Sequence, residues 1–162
     1  MAVISVEKDF DTLSLTLVAE FDAPIERVWQ LWADPRQLER WWGPPTHPST
    51  FEKHDLAVGG YVTYFMTDPA GEMSHGWWQV TSVDPPRSLE FTDGFANQDG
   101  TPNPETPITK VRMRLNDHEG GTRMDLRFVF SSPEHMELLE GWGAFEVFPL
   151  SVGQMDALLD TS

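Results

Sequence analysis

A run of consecutive β-strands between residues 50 and 130, with helical segments on either side, restricts the fold more than any other feature of this sequence. Gly- or Pro-containing turns separate each strand from the next. A further strand is expected at residues 12–21, where apolar and polar residues alternate. The other six predicted strands are residues 50–56, 61–67, 73–83, 88–95, 108–116 and 122–130. Short turns join antiparallel neighbours, so these strands predict one antiparallel sheet with a face to bury against helices.

Two short helices are predicted after the first strand, and a longer helical segment at the C-terminus. Pro24 and Pro35 each stand in the first turn of a helical pattern, where a missing N–H is tolerated. Apolar residues recur at steps of three and four between residues 145 and 159, which is typical of an amphipathic helix, and Pro149 is expected to kink or divide it. This order predicts an α+β helix-grip fold, in which a curved antiparallel sheet of six to seven strands surrounds a long C-terminal helix.

The length of 162 residues predicts a single domain over residues 1–162, with a folded core at about 12–160. A chain of this size buries roughly 70% of its unfolded surface, so its core needs no disulfides, and the sequence contains no Cys. The N-terminal residues lack a secretory signal pattern, and no apolar run approaches the roughly 20 residues of a membrane span. A cytoplasmic location is the expectation.

The charge is strongly acidic and unevenly distributed. Eleven basic and 26 acidic residues give a net charge of −15, which disfavours nucleic acids and anionic membranes as partners. Residues 131–162 contain no Lys or Arg, whereas the preceding pair of strands is basic. Its basic residues are Lys110, Arg112, Arg114, Arg123 and Arg127. This basic hairpin indicates either cross-strand pairing on a solvated face or a docking patch for an acidic partner.

Several short motifs occur in order along the chain. A tryptophan-rich segment at residues 23–44 comes first, followed by Gly59-Gly60, Asp84-Pro85-Pro86, Gly121-Thr122 and Gly141-Trp142. Together they resemble the SRPBCC (START-like) superfamily, and more narrowly its branch homologous to the C-terminal domain of the activator of the heat-shock-protein-90 ATPase (AHSA-type). The resemblance covers about residues 12–160. It implies the helix-grip fold, but the superfamily includes lipid carriers, hormone receptors, polyketide cyclases and domains without an assigned activity, so the function needs separate arguments.

No catalytic constellation is evident in the sequence. The five histidines show no metal-ligand spacing, there is no Cys nucleophile, and no G-x-S-x-G motif is present. We therefore predict no catalytic residue, no metal site and no cofactor. His75 lies in a predicted strand, where it either faces a cavity or is satisfied by neighbouring groups and solvent.

The aromatic residues are the strongest indication of a site. The sequence has seven Trp, ten Phe and two Tyr, and such residues form either a packed core or the wall of an apolar cavity. Both alternatives stay open for each candidate. The candidates for the cavity wall are Trp32, Trp41, Trp42, Tyr61, Tyr64, Met66, His75, Trp77, Trp78, Phe91, Trp142, Phe145, Phe148 and Val152.

Two further features bear on this cavity and on self-association. Trp77 and Trp78 are adjacent in a strand and must face opposite sides of the sheet, which predicts a partly exposed apolar patch and hence a homodimer. Residues 96–107 contain three prolines and form either a lid over the cavity or an ordinary, proline-stiffened connection.

Binding of a small hydrophobic molecule between the sheet and the C-terminal helix is the function we expect, with a stress-related role as a further expectation. Two alternatives stay open. The narrower resemblance implies a domain that regulates the heat-shock-protein-90 ATPase, with that chaperone as partner. A polyketide cyclase or aromatase-like enzyme requires polar groups inside the cavity, and the first candidates for such groups are His75, Tyr64, Arg112 and Arg114.

Overall fold

Residues 3–160 are described by a computed structural model, in which they form eight β-strands and five α-helices. In chain order the elements are β1 (Val3–Asp9), β2 (Ser14–Phe21), α1 (Ile25–Ala33), α2 (Pro35–Leu38), β3 (Ser49–His54), β4 (Tyr61–Thr67), β5 (Met73–Asp84), β6 (Ser88–Phe95), β7 (Thr109–His118), β8 (Gly121–Phe130), α3 (Pro133–Gly141), α4 (Ala144–Gly153) and α5 (Met155–Asp160). The predicted domain covers residues 1–162, and residues 1, 2, 161 and 162 lie outside the described part. Among residues 3–160, no helix has the length and apolar content required to cross a membrane.

The strands form a single antiparallel sheet in the order β1-β2-β8-β7-β6-β5-β4-β3. The predicted α+β class and antiparallel sheet are confirmed, but the predicted number of strands is wrong because β1 was missed. This strand occupies an edge of the sheet and pairs only with β2 among the described strands. Its C-terminal half, Glu7 to Asp9, is charged and exposed. Charged residues are common on edge strands, and they conceal the alternation by which a strand is recognised.

The C-terminal helical segment is present, but it consists of three short helices instead of one long helix. Ser132 caps α3 by accepting a hydrogen bond from the His135 N–H at 3.0 Å. Gly143, with φ of +80°, separates α3 from α4 in the left-handed region that glycine adopts readily. Pro149 lies inside α4, and the division between α4 and α5 falls after Gly153. The glycines therefore mark the breaks, and the proline does not.

The core lies between one face of the sheet, here called the inner face, and the helices. Trp32 of α1 and Trp41 pack edge to face with their ring centroids 4.7 Å apart, and the indole nitrogen of Trp41 donates to the Leu31 carbonyl at 2.8 Å. Trp78 stacks on Phe91 of the neighbouring strand, with ring centroids 4.0 Å apart. The tryptophans at this end of the molecule therefore fill the interior.

Trp77 lies on the opposite, outer face and is only 9% exposed. Its cross-strand neighbour is Gly94, and the missing side chain of this glycine leaves room for the indole ring, whose nitrogen donates to the Phe95 carbonyl at 3.0 Å. In the loop at 96–107, Gly100 approaches Thr63, the other cross-strand neighbour of Trp77. The loop thus packs on the outer face and is not placed as a lid. Little apolar surface is left at Trp77, and a homodimer stays a prediction.

Candidate functional site

A cleft separates the inner face of the sheet from α4. It consists of two adjoining spaces of about 140 and 170 Å³ that share part of their lining. We call the first the Trp42 hollow and the second the His135 hollow. The shared residues are Tyr64, Met66, Asp93, Phe128 and Phe148. Larger depressions lie elsewhere on the described surface, but the walls of this cleft are more strongly apolar than theirs.

The shared residues meet because strand alternation directs them to the same face. Tyr64 and Met66 are two residues apart on β4 and therefore point to the same side of the sheet. Phe128 reaches the cleft from β8, where every second residue is buried. Phe148 of α4 stacks on Phe128 with ring centroids 4.3 Å apart and an interplanar angle of 8°. This stacked pair joins α4 to the sheet at the edge of the cleft.

The main polar feature of the cleft is a hydrogen bond between two of its shared residues. The Tyr64 hydroxyl donates to Oδ1 of Asp93 at 3.0 Å. Tyr64 is on β4 and Asp93 on β6, so the bond crosses the intervening strand β5. Gly76 of β5 is the cross-strand neighbour of Tyr64, and a Cβ atom at this position would lie 2.5 Å from the Tyr64 hydroxyl oxygen. The absence of a side chain at Gly76 therefore allows the phenol to reach Asp93.

Burial gives Asp93 an unusual ionisation. Part of its side chain is accessible from the cleft, but protein atoms surround the carboxyl group densely enough to raise its pKa to about 7. The hydrogen bond from the Tyr64 hydroxyl and the neighbouring Gly94 N–H favour the carboxylate and limit this rise. Within residues 3–160, no lysine, arginine or histidine forms an ion pair with Asp93. The carboxyl group can therefore hold or release a proton close to neutral pH.

The pKa of Tyr64 is raised well above its usual value, so the phenol stays protonated. Burial is the largest cause, and the negative charge of Asp93 adds to it. The indole N–H groups of Trp42 and Trp78 oppose this rise, since they favour the phenolate. Both indole nitrogens are buried, and neither has a hydrogen-bond partner among the described residues. Tyr64 is thus a permanent hydrogen-bond donor to Asp93.

His135 borders the second hollow as a neutral group. It is 4% exposed, and burial lowers its pKa. Its Nδ1 accepts a hydrogen bond from the Ser131 backbone N–H at 3.3 Å. Since a backbone N–H can only donate, the neutral ring carries its proton on Nε2. His135 therefore adds a polar edge to the His135 hollow without adding a positive charge.

The predicted cavity residues fall into three groups. Seven border the cleft, and these are Trp41, Trp42, Tyr64, Met66, His75, Phe148 and Val152. Four lie in the packed core without lining the cleft, and these are Trp32, Trp78, Phe91 and Phe145. Tyr61 and Trp77 face the outer side, where their rings are 6.4 Å apart, and Trp142 is 61% exposed on the surface. The structure thus brings together half of the candidates.

Three residues suggested for an enzymatic role are placed away from the interior of the cleft. The ring of His75 lies 5.6 Å from that of Phe65, its cross-strand neighbour, and so packs along the strand pair while the residue borders the cleft. Arg112 and Arg114 alternate on β7 with the buried Val111 and Met113 and therefore point to the outer face. Of the four suggested residues, Tyr64 is the one whose polar group lies within the cleft.

The sequence interpretation missed Asp93, Gly76 and His135. A signal for Asp93 is present, because it occurs two residues after Phe91 in β6 and so shares the inner face with that core residue. A carboxylate at an inward position of a strand is unusual enough to mark a site. Gly76 and His135 gain their roles only through neighbours that are distant in sequence. Within the described part of the chain, no three His, Asp or Glu side chains are grouped to hold a metal ion.

An antiparallel sheet covered by C-terminal helices, with a cleft between the two, defines a helix-grip protein of the START-like class. The chain belongs to the family described as activator of Hsp90 ATPase homolog 1-like protein, whose model matches residues 22–160. No curated protein matches it.

Solved structures of bacterial proteins are similar over almost the whole chain. A crystal structure of a Mycobacterium smegmatis protein shares 47% identity, covers 97% of this chain and 96% of its own, and has a TM-score of 0.88. A solution structure of an Arthrobacter aurescens protein also shares 47% identity, with coverages of 99% and 93% and a TM-score of 0.93. The AHSA1 protein of Silicibacter pomeroyi shares 25% identity, with coverages of 91% and 98% and a TM-score of 0.71.

Proposed function

We propose that this protein binds a small, largely apolar molecule in the cleft between the sheet and α4, with the polar group of that molecule next to Tyr64 and Asp93. The observation that carries the proposal is the combination of apolar walls with one buried, hydrogen-bonded acidic pair. Ligand sites commonly have this composition, because apolar surface supplies affinity and a few polar groups fix the orientation.

The size of the cleft supports a compact ligand. Each hollow is smaller than the roughly 300–1,000 Å³ of typical ligand pockets, but together they approach the lower end of that range. A molecule with one or two rings suits this space better than a long acyl chain. Such a ligand would contact Phe148 and Met66, which border both hollows.

Ligand binding requires fewer functional groups in the cleft than either of the two alternatives. A cyclase-like activity would need several polar groups around the substrate, and two of those suggested, Arg112 and Arg114, lie on the outer face. Regulation of the heat-shock-protein-90 ATPase is suggested by the description of the family and not by any feature of the cleft. The stress-related role and the cytoplasmic location stay predictions.

Titration with 2-(1-naphthyl)ethanol, followed by tryptophan fluorescence, tests the proposed function. We expect saturable binding to the wild-type protein. Tryptophan fluorescence should report it, because Trp41 and Trp42 border the cleft. Val152→Phe, which places a larger side chain in the Trp42 hollow, should weaken binding at least fivefold. Val58→Phe is the matched control, because Val58 is 69% exposed and lines neither hollow. Equal affinities of both variants, or no saturable binding to the wild type, would contradict the proposal.

A further inference from the structure

We propose that the cleft selects ligands that carry a basic nitrogen, and that the Asp93 carboxylate is the group that binds it. This inference rests on the proposed function and adds the chemical class of the ligand. It follows from what surrounds Asp93, from the other ionisable groups of the cleft and from the aromatic rings beside it.

Asp93 has hydrogen-bond donors but lacks a counter-ion. The Tyr64 hydroxyl donates to Oδ1, and the neighbouring Gly94 N–H also favours the charged form of the carboxyl group. These are the contacts that favour a carboxylate, yet no cationic side chain among residues 3–160 pairs with it. A buried carboxylate is costly unless a cation compensates for its lost hydration. A protonated amine in the cleft would supply this missing charge.

The other ionisable groups that border the cleft leave that place to the ligand. Tyr64 on β4 is neutral because its pKa is raised, and His135 on α3 is buried with a lowered pKa. His75 on β5 borders the His135 hollow with its ring against Phe65. Neither α4 nor β8 contributes a lysine or arginine to the lining. The described lining therefore carries one acidic group and no permanent cation.

Aromatic rings next to Asp93 favour the same class of ligand. Trp42 and Tyr64 pack edge to face with ring centroids 6.0 Å apart, and both border the Trp42 hollow together with Asp93. Aromatic faces attract organic cations, and the attraction increases when the cation is removed from water. The net charge of −15 also raises the concentration of cations near the protein.

A set of three probes with the same ring system tests this inference at pH 8, where Asp93 is ionised. The probes are 2-(1-naphthyl)ethylamine, 2-(1-naphthyl)ethanol and the carboxylate of 1-naphthaleneacetic acid. At this pH they are cationic, neutral and anionic, respectively. We expect the amine to bind roughly 10- to 100-fold more tightly than the alcohol, as a charge-assisted hydrogen bond provides. The acetate should bind most weakly. Asp93→Asn should bring the affinities of amine and alcohol together, whereas Asp11→Asn, an exposed control with the same change of charge, should preserve the difference.

The outcomes separate this inference from the proposed function. If alcohol and amine bind the cleft equally well, or if the acetate binds best, the selection for a basic nitrogen is wrong and the binding function stands. If none of the probes binds, both fail. Calorimetry of the wild-type protein at pH 7 provides a test without a variant, because an amine that pairs with Asp93 should release a proton into the buffer. The alcohol should not release one, and equal proton release by both probes would overturn the inference.

Discussion

At the scale of single residues, Gly76 is as important to the site as the polar groups themselves. It has no side chain of its own, and the missing Cβ allows the Tyr64 phenol to cross β5 and reach Asp93. A glycine in the interior of a strand normally weakens it, and a close approach by another group is one reason for its presence. Tyr64 and Asp93 could act together only because of this third position.

We expect Gly76→Ala to displace Tyr64 and to destabilise the protein by about 1–3 kcal/mol, the usual cost of overpacking a filled site. The matched control is Gly141→Ala near the end of α3, where a Cβ would meet no atom within 4 Å and where φ is not positive. This control should leave stability unchanged or raise it by up to about 1 kcal/mol. Urea unfolding measures both, and equal effects would contradict the role of Gly76.

The ionisation of Asp93 predicts an unusual dependence of stability on pH. Its folded pKa of about 7 lies above the ordinary value of 3.8, so the folded state binds more protons than the unfolded state between these two values. The contribution of Asp93 to the free energy of unfolding therefore falls as pH rises from about 4 to 7, by at most ~1.4 kcal/mol per pH unit. It is constant above that range.

Thermal or urea unfolding of the wild type and Asp93→Asn between pH 4 and 8 measures this effect. The difference in stability between the two proteins should shift in favour of the variant as pH rises to 7. Taking the difference removes the contributions of Asp34 and Asp99, whose lowered pKa values act in the opposite direction. A difference that does not change with pH would show that Asp93 titrates normally.

At the scale of secondary-structure elements, α4 closes the cleft through the stacking of Phe148 on Phe128. Phe145, one turn earlier, stacks on Phe130 with ring centroids 5.7 Å apart, so two aromatic pairs attach the helix to β8. The short helices α3 and α5 continue the cover on either side. The position of α4 on the sheet therefore determines how large the cleft is.

Phe148→Ala should destabilise the protein by about 1–3 kcal/mol, less than for a fully buried phenylalanine, because Phe148 is half-buried. The matched control is Leu150→Ala on the same helix, since Leu150 is 59% exposed and its truncation should cost less than about 0.5 kcal/mol. Urea unfolding and the affinity for 2-(1-naphthyl)ethanol should both distinguish the two variants. If they behave alike, the stacked pair does not hold α4 in place.

The elements show how far sequence reasoning reaches. Alternation in β2 and the proline at the start of α2 are local signals, and they predicted β2 and the first residue of α2. The edge strand β1 and the break after Gly153 were missed, because charged edge residues hide a strand and because an apolar stripe continues across Gly153. For the site, the aromatic walls could be predicted by residue type. The Tyr64–Asp93 pair could not, since it depends on which strand lies between β4 and β6.

At the scale of the whole molecule, the negative charge and the acidic cleft act in the same direction. A net charge of −15 attracts cations over distances of about one Debye length, whereas the cleft distinguishes them by contact. The basic residues of β7 and β8, such as Arg112, lie on the outer face, so they do not oppose this attraction from inside the cleft. The distribution of charge is thus compatible with a cationic ligand.

Salt should therefore slow the association of a cationic probe. We expect the association rate constant of 2-(1-naphthyl)ethylamine to fall severalfold between about 10 mM and 500 mM NaCl, because the Debye length shortens from roughly 30 Å to a few ångströms. The rate constant for 2-(1-naphthyl)ethanol, which has no charge, should change little. Stopped-flow fluorescence measures both, and the same salt dependence for the two probes would exclude steering by charge.

The central claim, that the cleft binds a small apolar molecule, is tested most directly by nuclear magnetic resonance of the methionine methyl groups. Met66 borders both hollows, whereas Met73 is 56% exposed at the start of β5 and lines neither. Addition of 2-(1-naphthyl)ethanol should shift the Met66 methyl resonance saturably and leave that of Met73 in place. A Met66 resonance that does not move at millimolar probe, or a shift confined to Met73, would contradict the claim.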